Sequence, residues 1–127
     1  MGEQDVFQIG EVAARVQLSL RTIRHYDEIG LVTPSGRTSG GFRLYSEEDV
    51  ERLRIVKGMK PAGLTLDEMR ELLDLLEGET TDAERLEHFL AAAGAQAERL
   101  ERHLEAVKAL ERRIRAVLRS GKETVRG

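Results

Sequence analysis

Apolar residues recur at alternating steps of four and three in the last third of the chain, and this pattern constrains the fold most. The apolar positions are Leu86, Leu90, Ala93, Ala97, Leu100, Leu104, Val107, Ile114 and Leu118, with Glu111 at the one missing place. Such spacing is the heptad seam of a coiled coil. It predicts a helix over residues 82–119, entered through a capping box at residues 81–84 and about 57 Å long. Because no other segment of this short chain could cover such a helix, the seam predicts a partner. The alternative is a helix folded back on its own domain.

Composition excludes several kinds of site. The 127 residues include no cysteine, so disulfides, thiolate metal centres and cysteine-ligated iron–sulfur clusters are ruled out. No apolar run approaches the roughly 20 residues that span a bilayer. Residues 1–8 lack the pattern of a secretory signal. We therefore expect a cytoplasmic protein with no membrane partner.

The distribution of charge is more informative than the net charge of −3, which alone argues against a general nucleic-acid binder. Residues 61–127 carry all of that net charge, so residues 1–60 are neutral overall. Within the neutral half, the segment 12–45 has just two acidic residues, Asp27 and Glu28. Its basic residues are five arginines: Arg15, Arg21, Arg24, Arg37 and Arg43. Such a patch is an electrostatic footprint for phosphate, although ordinary solvated arginines would give the same composition.

Two short helices separated by a three-residue break indicate a helix-turn-helix. Residues 10–16 form the first helix, and Ser19 is a good N-cap for the second, which ends before the left-handed position Gly30. Pro34 then favours extended backbone, and residues 42–45 (FRLY) alternate as a strand does. A helix-turn-helix followed by a β-hairpin is a winged helix.

Two further capping boxes place the next helices. Residues 46–49 (SEED) start a third helix that ends near Gly58, and residues 65–68 (TLDE) start a fourth helix over residues 66–77. The segment 78–81 is a hinge candidate. The two helices and the basic loop between them form a second helix pair.

Five ordered motifs in the first 77 residues closely resemble the DNA-binding domain of the MerR family of bacterial transcription regulators. They are IGEVA at 9–13, RTIRHYDEIGL at 21–31, GFRLY at 41–45, DVERL at 49–53 and GLTLDEM at 63–69. The resemblance implies a mainly α fold. Its parts are a winged helix-turn-helix over 1–77, a hinge over 78–81, an antiparallel coiled-coil dimerisation helix over 82–119, and a short tail over 120–127.

The resemblance also implies a function. The homodimer would bind an inverted repeat in an over-long promoter spacer and regulate transcription by bending and untwisting the DNA. Its partners would be double-stranded promoter DNA and RNA polymerase holoenzyme, and the protein would be nucleoid-associated. Two departures from the family matter: His25 stands where Tyr is commoner, and the cysteines of metal-sensing members are missing. We therefore expect no metal and no cofactor.

The candidate DNA-binding residues come from the first and second helices, the wing and the loop after the third helix. They are Arg15, Arg21, Thr22, Arg24, His25, Tyr26, Arg37, Phe42, Arg43, Tyr45 and Lys60. Arg21 is the best candidate for base readout, because arginine pairs bidentately with guanine and a recognition helix presents its N-terminal residues to base edges. Arg24, Tyr26 and Lys60 suit phosphate contacts. In the wing, Arg37 and Arg43 suit phosphate or minor-groove contacts.

Four of these candidates have a structural alternative. Arg24 is also placed for a salt bridge to Asp27 or Glu28, and Arg15 for an ordinary surface position. Tyr45 shares a strand face with Arg43, which would point both to DNA, yet it is equally placed to pack onto Val50. Phe42 is placed either to pack in the core or to contact a sugar of the DNA.

Other functions fit less well. An architectural or excisionase-like DNA-binding protein would use the same winged module without a role at RNA polymerase, but such modules are often monomeric. A coiled-coil adaptor would not need the arginine-lined helix and wing. We find no nucleophile with a nearby base and no phosphate loop, so an enzyme is not expected. Glu84 and His88, at i and i+4, are too few ligands to predict a metal site.

Overall fold

The computed structural model describes residues 5–79 and 81–126, and for residues 122–126 it describes the backbone alone. The first elements are β1 (Val6–Gln8), α1 (Ile9–Val16), α2 (Leu20–Glu28), β2 (Gly36–Arg37) and β3 (Arg43–Ser46). They are followed by α3 (Glu47–Lys57), α4 (Leu66–Glu77) and α5 (Ala83–Arg126). The mainly helical fold with a winged helix-turn-helix is thus confirmed. The chain divides into two compact units, residues 1–87 and 88–127, and each is described by itself.

Local hydrogen bonds and backbone conformations form the helix-turn-helix at the residues that the sequence predicts. Gln17 caps the C-terminal end of α1 with a left-handed φ of 57°, within the predicted break. Ser19 Oγ accepts a hydrogen bond from the Thr22 amide at 3.0 Å, so the predicted N-cap is confirmed. Gly30 follows α2 with a φ of 72°, a conformation that glycine adopts without steric cost.

Within the described residues, the sheet has three antiparallel strands in the order β1-β3-β2. β3 is central, with Tyr45 opposite Phe7 of β1 and Arg43 opposite Arg37 of β2. We call β2, β3 and their connecting loop the wing. The sequence did not predict β1, because three residues are too few to give a strand pattern.

Both predicted capping boxes of the second helix pair are present. Ser46 and Asp49 exchange hydrogen bonds at the start of α3, and Thr65 and Glu68 do the same at the start of α4. Asp49 is also fully buried, and it accepts hydrogen bonds from both the amide and the hydroxyl of Ser35. These bonds fix the segment entering the wing onto α3.

An aliphatic core joins the helices of the first unit to the sheet. Its most deeply buried members, each with essentially no exposed area, are Val12, Ile23, Tyr45, Val50, Leu53 and Val56. Tyr45 contributes from the central strand, and its hydroxyl has no hydrogen-bond partner among the described residues. The core therefore fixes the orientation of α2 relative to the wing and α3.

α5 differs from its prediction at both ends. Asp82 rather than Thr81 acts as its cap, because Asp82 Oδ1 accepts from the Arg85 amide at 3.2 Å. The helix then continues to Arg126, beyond the predicted end at residue 119, so the described part of the segment 120–127 is helical rather than a tail. α5 has two interior glycines, Gly94 and Gly121, and one glycine costs a helix only about 1 kcal/mol, too little to end it at Gly121. The division into domains at 77 and 81 stays a prediction.

The first unit also includes the beginning of α5. Arg85 forms a bidentate pair with Glu71 of α4, with nitrogen–oxygen distances of 2.6 and 2.8 Å.

Membrane-spanning helices are not found among the described residues, because none of the helices there has the necessary length and apolar character.

Candidate nucleic-acid interface

α2 presents one polar face and one core face. Ile23 and Tyr26 are buried, whereas Arg21, Arg24 and His25 are exposed. Thr22 is half-buried, with its hydroxyl 2.8 Å from that of Ser19. The helix therefore offers three hydrogen-bonding side chains from its first two turns.

Arg21 and Arg24 have no ion-pair partner among the described residues. The alternative that Arg24 pairs with Asp27 or Glu28 is therefore not realised, since Asp27 pairs with the wing instead. Two unpaired guanidinium groups on one exposed helix face are available to bind an anionic ligand.

A groove of about 520 Å³ lies beside this face and is basic. It is lined by Leu18, Arg21, Thr22, His25, Tyr26, Lys57, Lys60 and Pro61. The first five come from the helix-turn-helix and the last three from the end of α3 and the loop after it. No acidic side chain belongs to this lining, so the basic groove is suited to a polyanion such as a nucleic-acid backbone.

Lys57 is a member of the basic groove that the sequence analysis did not select. Its Nζ donates a hydrogen bond to the carbonyl oxygen of Val16 at 2.9 Å, at the C-terminal end of α1. Lys60, which was selected, is exposed in the loop after α3. The sequence signal was the pair of lysines flanking one loop, but only the fold places both beside Arg21.

The two wing arginines converge on Asp27 of α2. Arg43 Nε donates to Asp27 Oδ2 at 2.7 Å, and Arg37 Nη2 donates to the same oxygen at 3.2 Å. Arg37 Nη1 also donates to the carbonyl oxygen of Gly41 at 3.1 Å. The hydrogen bond with Asp27 raises the pKa of Arg43. The wing is thus fastened to α2 through both of its arginines, which the sequence predicted to contact DNA.

Tyr45 and Tyr26 are less accessible than the sequence analysis expected. Tyr45 is fully buried, so the predicted DNA contact is not supported and the core alternative describes it correctly. It lies beneath α3, whose Val50 is equally buried. Tyr26 is 7% exposed and reaches the lining of the basic groove. Burial raises the pKa of both phenols.

The Arg15 side chain forms contacts within the fold, whereas the Phe42 side chain is largely exposed. The Arg15 guanidinium forms a bidentate pair with Glu47, at 3.1 and 3.2 Å, and lies 4.6 Å from the centre of the Phe7 ring. The hydrogen bond with Glu47 raises the pKa of Arg15. Arg15 therefore joins α1 to β1 and α3. Phe42 is 66% exposed in the wing, which favours the sugar contact over the core.

Two sequence families match this chain over overlapping regions. "MerR HTH family regulatory protein" matches residues 7–76, and "MerR, DNA binding" matches residues 50–117. The chain belongs to the MerR family. The resemblance drawn from the five motifs is confirmed, and the matching families are transcription regulators, not enzymes.

Curated MerR relatives are similar over slightly more than half of the chain. The HTH-type transcriptional activator mta of Bacillus subtilis is 46% identical over 68 residues, which are 54% of this chain and 26% of that protein. The mercuric resistance operon regulatory protein of Bacillus cereus is 39% identical over 71 residues, 56% of this chain and 54% of that protein. The chain thus spans between a quarter and about half of the length of these two relatives.

Solved MerR structures are similar over most of the chain. HiNmlR, described as a MerR family regulator lacking the sensor domain and bound to promoter DNA, gives a TM-score of 0.65 at 26% identity. The alignment covers 80% of each chain. The N-terminal part of Mta from Bacillus subtilis, described as a multidrug transporter activator, gives a TM-score of 0.57 at 31% identity, covering 85% of this chain and 97% of that one.

The heptad positions of α5 are available for a partner in this MerR chain. Six large apolar side chains of the predicted seam are between 45% and 72% exposed: Leu90, Leu100, Leu104, Val107, Ile114 and Leu118. Ala93 and Ala97 are exposed as well, and Leu86 is half-buried. We call these nine positions the apolar stripe. An exposed stripe of this length is unusual for a monomeric surface and marks an interaction site.

Metal ligands are not clustered in the described part of the chain. No group of three or more His, Asp or Glu side chains is placed to hold an ion there. Glu84 and His88 remain an isolated i, i+4 pair on α5.

Proposed function

We propose that this chain acts as a homodimeric, sequence-specific transcription regulator that binds an inverted repeat in a promoter spacer. The basic groove is the observation that carries the proposal, because it brings Arg21 and His25 of α2 beside Lys57 and Lys60 of the second helix pair. One strand of the duplex backbone would lie along this groove while α2 enters the major groove.

In this arrangement the exposed residues of α2 have separate tasks. Arg21, Thr22 and His25, on the first turns of the recognition helix, would contact base edges, and Arg21 would pair with guanine. Arg24 would contact phosphate, as would Lys57 and Lys60. In the wing, Arg37 would contact the backbone and Phe42 a sugar. Arg15 and Arg43 are held by carboxylates and are only 29% and 23% exposed, against 48% for Arg37, so we assign them to positioning.

The apolar stripe supports a dimer, and its residues favour one antiparallel register. In antiparallel coils each heptad position a faces d of the other helix. A register centred on Arg102 places every seam position opposite another: Leu86 with Leu118, Leu90 with Ile114, Ala93 with Glu111, Ala97 with Val107, and Leu100 with Leu104. It pairs each alanine with a larger side chain and brings Glu87 near Arg115 of the other protomer. A shift by one heptad would place Glu111 against a leucine, which is costly for a buried charge.

Regulation would follow from the fixed separation of two recognition helices. A rigid coiled coil requires the half-sites to present their major grooves at one distance and on one face of the duplex. At an over-long spacer, the dimer would bend and untwist the DNA between them, at a cost of about 1–6 kcal/mol. RNA polymerase would then meet realigned promoter elements.

A series of promoter fragments with altered spacers tests the proposal. Deleting two base pairs between the half-sites should lower affinity and abolish regulation in a purified transcription assay together. The fragment with the natural spacer and scrambled half-sites is the control. If binding and transcription do not depend on spacer length, the chain is an architectural DNA-binding protein instead.

A further inference from the structure

Asp27 is the residue through which the wing is attached to α2. Its side chain is 13% exposed, and one of its oxygens accepts hydrogen bonds from both Arg37 and Arg43. The two arginines lie directly opposite each other in the β2–β3 pairing. Like charges opposed across strands destabilise a sheet, so the carboxylate offsets a repulsion built into the wing.

The two members of this ion-pair cluster differ in accessibility. The Arg43 side chain is 23% exposed and forms the shorter bond, 2.7 Å against 3.2 Å. The Arg37 side chain is 48% exposed, so a phosphate can approach it while Asp27 still holds Arg43. Any phosphate that binds Arg37 must compete with the carboxylate for the same guanidinium.

We infer that Asp27 is a positioning residue that sets operator discrimination by holding the wing arginines away from non-specific phosphates. The inference rests on the proposed function. Non-specific DNA binding comes almost entirely from phosphate contacts, so a carboxylate that competes for Arg37 weakens it directly. At an operator, base contacts from α2 add free energy that non-specific DNA does not supply. The wing, held in place by Asp27, then fixes the position of the protein on the operator instead of adding sequence-independent attraction to phosphate.

The test compares Asp27→Asn with Glu28→Gln, a matched loss of one negative charge at the neighbouring position. Glu28 is exposed and has no ion-pair partner among the described residues. Affinity is measured for an operator duplex and for a scrambled duplex of the same length, over a salt series. Asp27→Asn should bind the scrambled duplex about two- to five-fold more tightly than Glu28→Gln does. This factor corresponds to the free energy of about one exposed ion pair, which the carboxylate no longer forms with Arg37. The ratio of operator to scrambled affinity should fall by at least that factor.

Asp27→Glu keeps the charge and should largely restore the ratio. If Asp27→Asn does not fold, Arg43→Lys serves as the second variant. It preserves the net charge, loses the planar guanidinium fork and should also lower the ratio.

Two results overturn the inference: equal ratios in Asp27→Asn and Glu28→Gln, or, where the asparagine variant is unfolded, a wild-type ratio in Arg43→Lys. A wild-type protein that binds operator and scrambled DNA equally would instead refute the proposed function itself, so the two failures are distinguishable.

Discussion

Lys57 at the end of α3 donates a hydrogen bond from Nζ to the carbonyl oxygen of Val16, the last residue of α1, at 2.9 Å. The two residues are 41 positions apart, and Lys57 also lines the basic groove. A positive charge is favourable at the C-terminal end of a helix, where carbonyl groups lack partners. Lys57 therefore has a stabilising role in addition to its place beside Arg21.

That double role predicts a difference between two neighbouring lysines. Lys57→Met should lower the free energy of unfolding by about 0.5–1.5 kcal/mol, because a charged donor to a helix end is lost. Lys60→Met should leave it unchanged. Each variant should reduce the salt dependence of DNA binding, with the slope falling by about 1 per lost phosphate contact. Chemical denaturation and a salt titration give the two quantities; equal stabilities of both variants would contradict the assignment.

The roles assigned to Arg21 and Arg37 predict different kinds of loss. Arg21→Ala should lose about 1–3 kcal/mol at one base pair in each half-site, because a bidentate base contact is removed. Arg37→Ala should weaken binding to all single-base variants of the operator alike, because a phosphate contact does not depend on the base. Competition assays with single-base operator variants separate the two outcomes. A uniform loss for Arg21→Ala would mean that Arg21 contacts only phosphate.

The buried hydroxyl of Tyr45 predicts an unusual response to alkaline pH. Burial raises the pKa of Tyr45 above its ordinary value of 10.0, so the folded state holds its proton more tightly than the unfolded state. The stability due to this group is complete below pH 10 and decreases as the pH rises above it. Tyr45→Phe should therefore lose stability less steeply above pH 10.

At neutral pH, the same variant should be as stable as the wild type or up to about 1 kcal/mol more stable, since the Tyr45 hydroxyl has no hydrogen-bond partner in the part of the chain that the structure describes. Urea unfolding at pH 7 and at several values above pH 10 measures both effects. Tyr26 is the one other tyrosine of the chain, and its pKa is also raised, so Tyr26→Phe is the control for the remaining slope. A marked loss of stability at pH 7 would indicate that the Tyr45 hydroxyl has a partner after all.

The register of the apolar stripe predicts which cysteine pairs form crosslinks. The natural chain has no cysteine, so introduced thiols give no background. Ala97→Cys combined with Val107→Cys should yield a covalent dimer with a short thiol-reactive crosslinker. Ala97→Cys combined with Ile114→Cys, shifted by one heptad, should not. Non-reducing electrophoresis distinguishes them, and crosslinking of the second pair alone would shift the proposed register.

Local sequence signals predicted most of the fold. The caps at Ser19, Ser46 and Thr65 act through side chains within three residues, so the sequence alone locates them. The two errors at α5 are also local: Asp82 competes with Thr81 as the cap, and Gly121 is tolerated in the helix. Long, periodic segments were predicted more easily than the three-residue strand β1.

The sequence predicted which charged residues form the site, but not which of them form ion pairs with each other. Which carboxylate holds which arginine depends on tertiary distances, so the pairing of Arg15 with Glu47 and of Arg43 with Asp27 could not be read from a patch of charge. The inward orientation of Tyr45 follows from its place on the central strand, which depends on the unpredicted β1.

Selection of binding sites from random duplex DNA with the purified chain tests whether it binds DNA as a dimer with two coupled recognition helices. Such a dimer should enrich inverted repeats whose two half-sites keep one fixed separation, and Leu104→Asp, which places a charge in the dimer seam, should abolish that enrichment. Enrichment of single half-sites, of repeats with variable separation, or of no sequence at all would contradict a dimer that reads promoter DNA through two coupled recognition helices.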